Sequence, residues 1–280
     1  MDNNTNPLSK FFRQPAVYVK IPSGGKFYPN GSLDLPVNGE LPIYPMSALD
    51  EIISRTPDAL FNGSAMIQIF SSCVPNIKSP WDIPQIDVDL LLTAIKIASY
   101  GHNMELSTTC VHCANEQEYM LDLRQMIDQF RSPDYDTSLD IGDLKIYFKP
   151  LSYKQVNESA MIQFTKQKEF QLLSRAEHSD EEKFKLLNEM MLDITKLTFS
   201  AVSQCIAAVK TTDGVVDNAE QIEEFVLNID RLVYERIKSH VMKIKEGTDI
   251  APLKINCDNC KKDYTQPFTL DMSNFFVAAS

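Results

Sequence analysis

Two quartets, Cys110-Val111-His112-Cys113 and Cys257-Asp258-Asn259-Cys260, decide how this chain is put together. Each is a C-x-x-C turn. Each follows an extended run, Leu106–Thr109 in the first case and Leu253–Asn256 in the second. Each precedes alternating apolar residues: Tyr119, Leu121 and Leu123 after the first, Tyr264, Phe268 and Leu270 after the second. Leu121 and Phe268 stand equally far past their second cysteine, as do Leu123 and Leu270. The same strand–knuckle–strand unit therefore occurs twice.

Two thiolates on one tight turn can occupy adjacent vertices around a single ion, and two such turns complete a tetrahedron. That four-thiolate set, with no open position for a substrate, is the set of a structural Zn²⁺ site. The pattern assigns Cys110, Cys113, Cys257 and Cys260 to one zinc ion. The spacing is unusual: common zinc ribbons separate their pairs by about 15–20 residues, whereas most of the second half of this chain intervenes. The ion would clip a late stretch of chain to its middle. A thioredoxin-like redox pair would need its C-x-x-C at a helix start beside a βαβ unit, and neither flank reads that way. Local disulfides would need an oxidising compartment. Buried free thiols are the bland alternative. His112, inside the first knuckle, is expected to point away from the ion or to donate a hydrogen bond near the sulfurs.

Outward from the knuckles, 280 residues allow one large domain or two small ones, and 44% hydrophobic content is ordinary for a globular chain. No apolar run is long enough to span a membrane. Met1–Asn6 lacks the basic and apolar regions of a secretory signal, so the expected location is the cytoplasm, where thiols stay reduced. The net charge of −11 repels phosphate backbones. Lys261 and Lys262 are offset by Asp258 and Glu116, and no basic stripe accompanies the knuckles, which disfavours nucleic acid as a partner. No G-x-S-x-G, H-E-x-x-H or dinucleotide fingerprint occurs. The four histidines (His102, His112, His178, His240) are scattered, and the acidic run Glu177–Glu182 reads as a solvated helix start capped at Ser179. Gly24-Gly25-Lys26 fails as a phosphate loop, because Phe27 follows the lysine and Pro29 blocks a helix. The expectation is a protein without a catalytic site.

Along the chain, Val17–Ile21 and Lys26–Pro29 around Pro22–Gly25 read as a β-hairpin after a loose arm. Ser47 can cap a helix over Ala48–Arg55. Thr56-Pro57 opens a second helix expected to run from Asp58 through Ile69, despite Asn62-Gly63. Asp87 can cap a third, Val88–Tyr100, stopped by Gly101. Ile141–Leu144 is the turn of a hairpin between residues 137–140 and 145–149. From Ser152 to about residue 246 the reading is helical. Phe184, Leu187, Met191, Ile194, Thr198, Ala201, Cys205 and Ala208 recur in steps of three and four, a packing seam on which Cys205 is a buried thiol. After the Asp213-Gly214 turn, Asn218 caps a helix with Ile222, Phe225, Val226, Ile229 and Val233 on its apolar face, ending at Gly247. The expected fold is α+β: an N-terminal arm and hairpin (residues 1–45), a core carrying a zinc-ribbon-like module (46–149 with 248–280), and an inserted helical hairpin or bundle (150–247). Phe275-Phe276 is either a docking tail or part of the core.

Four blocks together carry a family resemblance: Val19–Pro29; Leu49-Asp50-Glu51-Ile52 with Pro57–Gly63 and on to Cys73-Val74; Asp89–Leu92 with Ala98–Gly101; and the cysteine pairs with Asp271–Phe276. They resemble the T4-type phage base plate protein family, the baseplate hub assembly proteins of contractile-tailed phages. The resemblance spans most of residues 17–125 and 250–276, and the helical region carries little of it. It implies a protein that helps build the central hub of the baseplate, as a transient chaperone-like factor or as a retained subunit. The implied partners are hub or tape-measure proteins, in the host cytoplasm or in the virion. A zinc-ribbon regulator that binds nucleic acid is the alternative.

Overall fold

The computed structural model describes residues 6–56, 63–175, 180–248 and 250–268. The architecture is α+β, and the chain divides into two compact units, Met1–Arg131 with Ile250–Ser280, and Ser132–Asp249. In chain order the first unit contains β1 (Val17–Val19), β2 (Leu41–Ile43), α1 (Ala48–Ser54), α2 (Ser64–Cys73), α3 (Gln85–Tyr100), β3 (Asn103–Thr109), β4 (Glu116–Asp122) and α4 (Leu123–Ile127). The second contains β5 (Leu139–Ile141), β6 (Leu144–Phe148), α5 (Tyr153–Arg175), α6 (Asp180–Gln204), β7 (Ile206–Lys210), β8 (Val215–Val216), α7 (Ala219–Asn228) and α8 (Arg231–Glu246). β9 (Leu253–Asn256) and β10 (Asp263–Gln266) then complete the first unit.

In the first unit α3 is buried on nearly every side from Val88 through Lys96 and so lies in the core. It packs against β1, β2 and α4. Leu91, Leu92 and Ile95 share this interior with Leu41 and Ile43. Asp87 does not cap α3, which starts two residues earlier behind Pro84. It is fully buried and accepts from the Ser23 amide at 2.8 Å and the Ser23 hydroxyl at 2.5 Å. This bond ties the Pro22–Gly25 segment to α3. The expected 17–29 hairpin does not form: successive turns occupy residues 22–28, and β1 pairs instead with β2, Val17 opposite Ile43 and Val19 opposite Leu41. Pairing there buries Val19, Leu41 and Ile43 together.

Ser47 caps α1 as expected, in a reciprocal capping box with Asp50. Asp50 Oδ2 also accepts from Ser72 Oγ at 2.7 Å and from Arg13 at 3.2 Å, so the cap locks the N-terminal segment and α2 onto α1. α2 begins at Ser64, not Asp58: Gly63 at φ 77° is its N-cap, and a left-handed residue there cannot lie within a helix. Pro57–Asn62 lie outside the described residues, as do Ser179, Leu270 and Phe275-Phe276.

The second unit is not purely helical. β5, β6, β7 and β8 form an antiparallel sheet in that order, with a two-residue Gly142-Asp143 turn between β5 and β6. The 137–149 hairpin, assigned from sequence to the cysteine-bearing core, therefore pairs within this unit through β6 and β7, Ile146 opposite Val209. The helical seam ends at Gln204. Cys205 is the junction: its amide still bonds back into α6, while its carbonyl accepts from Lys149 at 2.8 Å and starts strand pairing. Cys205 is only partly buried, and Ala208 lies in a strand rather than on a helix. Residues 219–246 likewise form two helices, because Ile229 is extended and Asp230 caps α8. The core joins Ile146, Phe148, Ile206 and Val209 of the sheet to Val202, Ile222, Val226, Tyr234 and Ile237 of the helices. The two ends of the unit lie close together: a Cβ placed on Gly247 would stand 3.8 Å from Pro133 Cβ.

Candidate metal centre

Each cysteine pair sits on the turn of a two-stranded antiparallel hairpin, β3–β4 for the first and β9–β10 for the second. The two turns are built alike, atom for atom along the backbone. In the first, the Cys110 amide donates to Asn115 O and the Ala114 amide to Cys110 O, both at 2.9 Å. In the second, the Cys257 amide donates to Lys262 O at 3.0 Å and the Lys261 amide to Cys257 O at 2.9 Å. The fifth residue of each turn is left-handed, Ala114 at φ 56° and Lys261 at φ 57°. The paired repeat read from sequence is thus a repeat of structure. Neither C-x-x-C opens a helix, so the setting of a redox pair is absent here.

The turns face each other. Cys113 Sγ lies 3.6 Å from Cys257 Sγ, and Cys110 Sγ lies 3.8 Å from Cys260 Sγ. All four sulfurs fall within 4.8 Å of one another. These are not disulfide distances, and all six cysteines are free thiols. Zn–S bonds of ~2.3 Å in a tetrahedron put sulfurs ~3.8 Å apart, so the set is close enough to hold one such ion with little movement. Cys110 and Cys257 are buried, Cys260 partly so, and Cys113 faces solvent.

The surroundings favour a thiolate at Cys257, while desolvation and the three neighbouring sulfurs push the Cys260 thiol up to about 11. The amides of Cys260 and Asn259 donate to Cys257 Sγ and hold its pKa below the ordinary thiol value. The His112 amide points at Cys110 Sγ at 3.4 Å, and Asn259 Nδ2 at Cys113 Sγ at 3.7 Å. Such donors spread the negative charge that four sulfurs concentrate. The His112 ring is turned away: its Nε2 lies 3.2 Å from Asp263 O, and it is not among the clustered ligands. The remaining cysteines lie elsewhere. Burial pushes the Cys73 thiol up to about 12 and the Cys205 thiol up to about 11.

Polar and apolar contacts hold the hairpins in this pose. Gln117 clamps both strands of approach, donating from Nε2 to Asn256 O at 3.0 Å and accepting at Oε1 from the Asp258 amide at 2.8 Å. Thr108 and Tyr264 share a buried hydroxyl bond of 2.7 Å. Leu121, Leu123, Met126, Leu253, Ile255 and Tyr264 form the apolar cluster beneath the sulfurs, with Phe268 packed at its edge. Of the alternating residues singled out in the sequence, Tyr119, Leu121, Leu123, Tyr264 and Phe268 therefore form or flank the floor of the site. Gln117 and Thr108 were missed, because a lone polar residue on an exposed-looking strand carries no signal of a partner about 140–156 positions away.

Compared with known families, residues 32–277 match the model described as T4 bacteriophage base plate protein. The match starts beyond the Val19–Pro29 block and runs through the whole of the second unit, whose helical sequence carries little of the resemblance. No match was found among curated proteins or among solved structures.

Proposed function

From the premise that the chain belongs to the T4 bacteriophage base plate protein family and so has a structural or assembly role in the phage baseplate, we propose that it helps build the baseplate hub. It does so without catalysis, through protein contacts. The observation that carries this reading is the family match along most of the chain, including the cysteine-bearing hairpins and the intervening unit.

The physical reading agrees. A closed four-sulfur set offers no vacant position for a substrate, and its work is to fasten residues 110–113 to residues 257–260. The resident ion is zinc, matched by the sulfur spacing and by the all-thiolate donor set. Partners are hub or tape-measure proteins, met in the host cytoplasm or in the assembling tail. An acidic surface, from the net charge of −11, would speed encounter with basic patches on them. No described helix is long and apolar enough to cross a membrane.

Pull-down of the tagged protein from infected cells tests the proposal: hub or tape-measure proteins are expected in the eluate, and recovery of neither overturns it. Mass spectrometry of purified particles beside infected-cell extract separates a retained subunit, present in both, from a chaperone-like factor, present only in extract. Metal analysis is expected to find one zinc per chain, absent after Cys110→Ser with Cys257→Ser.

A further inference from the structure

The hairpin of α5 and α6 is tied across by Lys166 Nζ to Asp193 Oδ2 at 3.1 Å. Among the described residues, α6 enters the core of its unit through its last turns, at Val202 with Phe199 packed beside it. Upstream, the seam read from sequence lies bare. Phe184 is 66% exposed, Met191 59%, Ile194 44% and Leu187 40%. Steps of three, four and three put these four on one stripe, the spacing by which one helix packs lengthwise on another. On the neighbouring helix Ile162 and Phe164 are both more than two-fifths exposed; two positions apart they point to opposite faces, so one of them flanks the stripe. Scattered single apolar residues need no explanation, but a stripe of this size marks a contact surface.

We propose that this hairpin docks against a second copy of the chain, the two hairpins closing a two-fold four-helix bundle. Three observations favour a copy over another occupant. First, the stripe has helical spacing on one arm of a helix pair, and a second identical pair supplies both the stripe and its neighbour in a self-complementary arrangement. Second, the chain carries a net charge of −11, yet residues 153–204 hold seven Lys/Arg against eight Asp/Glu, a local net of −1. Here, unlike over the chain as a whole, two copies meet without strong like-charge repulsion. Third, the four stripe side chains and one from the neighbouring helix offer on the order of 450 Å² per copy, more than half the ~800 Å² per partner of a standard interface.

Sedimentation equilibrium and light scattering on the full-length, zinc-loaded protein test this from about 1 to 100 µM. The expected mass is twice 31.8 kDa at the upper end. The double variant Phe184→Glu, Met191→Glu changes two exposed side chains, so it is expected to keep its circular dichroism and metal content while dissociation becomes about 100-fold easier. A single-chain mass throughout the range overturns the proposal, as does a trimer or larger species, or a dimer that survives the double substitution. Should the variant fold poorly, hydrogen exchange on the wild type decides: protection over residues 184–194 that falls on dilution supports the bundle, and protection independent of concentration overturns it. None of these outcomes depends on the baseplate reading.

Discussion

Stripping zinc from the loaded protein, by chelator or by Cys257→Ser, opens a cross-link between residues 144 positions apart. For a fully unfolded chain, closing such a loop is worth about 5 kcal/mol. The second unit shortens the effective loop, because Pro133 and Gly247 lie together when it is folded. The path from Cys113 to Cys257 is then roughly 30 positions, worth about 3.5 kcal/mol. Metal–sulfur bonding adds to both figures. Set against about 5–15 kcal/mol for a whole domain, the smaller figure alone lowers the melting temperature of the first unit by roughly 7–14 °C. Differential scanning calorimetry of holo and stripped protein is expected to show one transition falling by at least that much and a second, from residues 132–249, staying in place. Hydrogen exchange should locate the loss in Leu253–Gln266. If stripped protein keeps its protection there, or if both transitions fall together, the ion is not the clip and the two units are not independent.

Other perturbations give further expected outcomes. Gln117→Ala removes two bonds between the hairpins at an expected cost of about 1–3 kcal/mol, read as faster zinc release to a chelator with no change in the second unit's melting. Asp50→Ala should cost about 3 kcal/mol in urea unfolding, because Arg13, Ser47 and Ser72 lose a shared acceptor, while Ser47→Ala should cost only about 1 kcal/mol. Burial raises Asp87 from 3.8 to about 6. A raised carboxyl binds its proton more tightly in the folded state, so this stabilisation is full at low pH and is lost as pH climbs through 6. The first unit should lose about 1 kcal/mol between pH 5 and 7, with Asp89 acting in the same direction; Asp87→Asn should flatten that slope in pH-dependent melting. Replacing residues 133–247 by a short Gly-Ser linker should leave a folded first unit that still binds one zinc, measured by metal analysis and circular dichroism.

The knuckles were legible because cysteine chemistry announces itself: few residues at fixed spacing admit few readings, and the flanking alternation of Tyr119 and Leu121 fixed the strands. Caps were legible where one side chain serves its own turn, as at Ser47 and Asn218. What failed needed partners distant in sequence. Asp87 looks like a cap until Ser23, 64 positions away, takes both its oxygens. Ile206–Lys210 continues a seam of three-and-four steps that equally suits a strand, and only pairing with β6 decides. The left-handed turns at Ala114 and Lys261 use residues without the usual glycine or asparagine mark.

The pinched ends of the second unit place all of residues 132–249 inside the ring that a bound ion would close from Cys113 to Cys257. Tension applied between the chain's termini would then pass from one hairpin to the other through metal–sulfur bonds, and would bypass the enclosed unit. The enclosed unit would stay folded while the two hairpins bear the load, until a thiolate lets go.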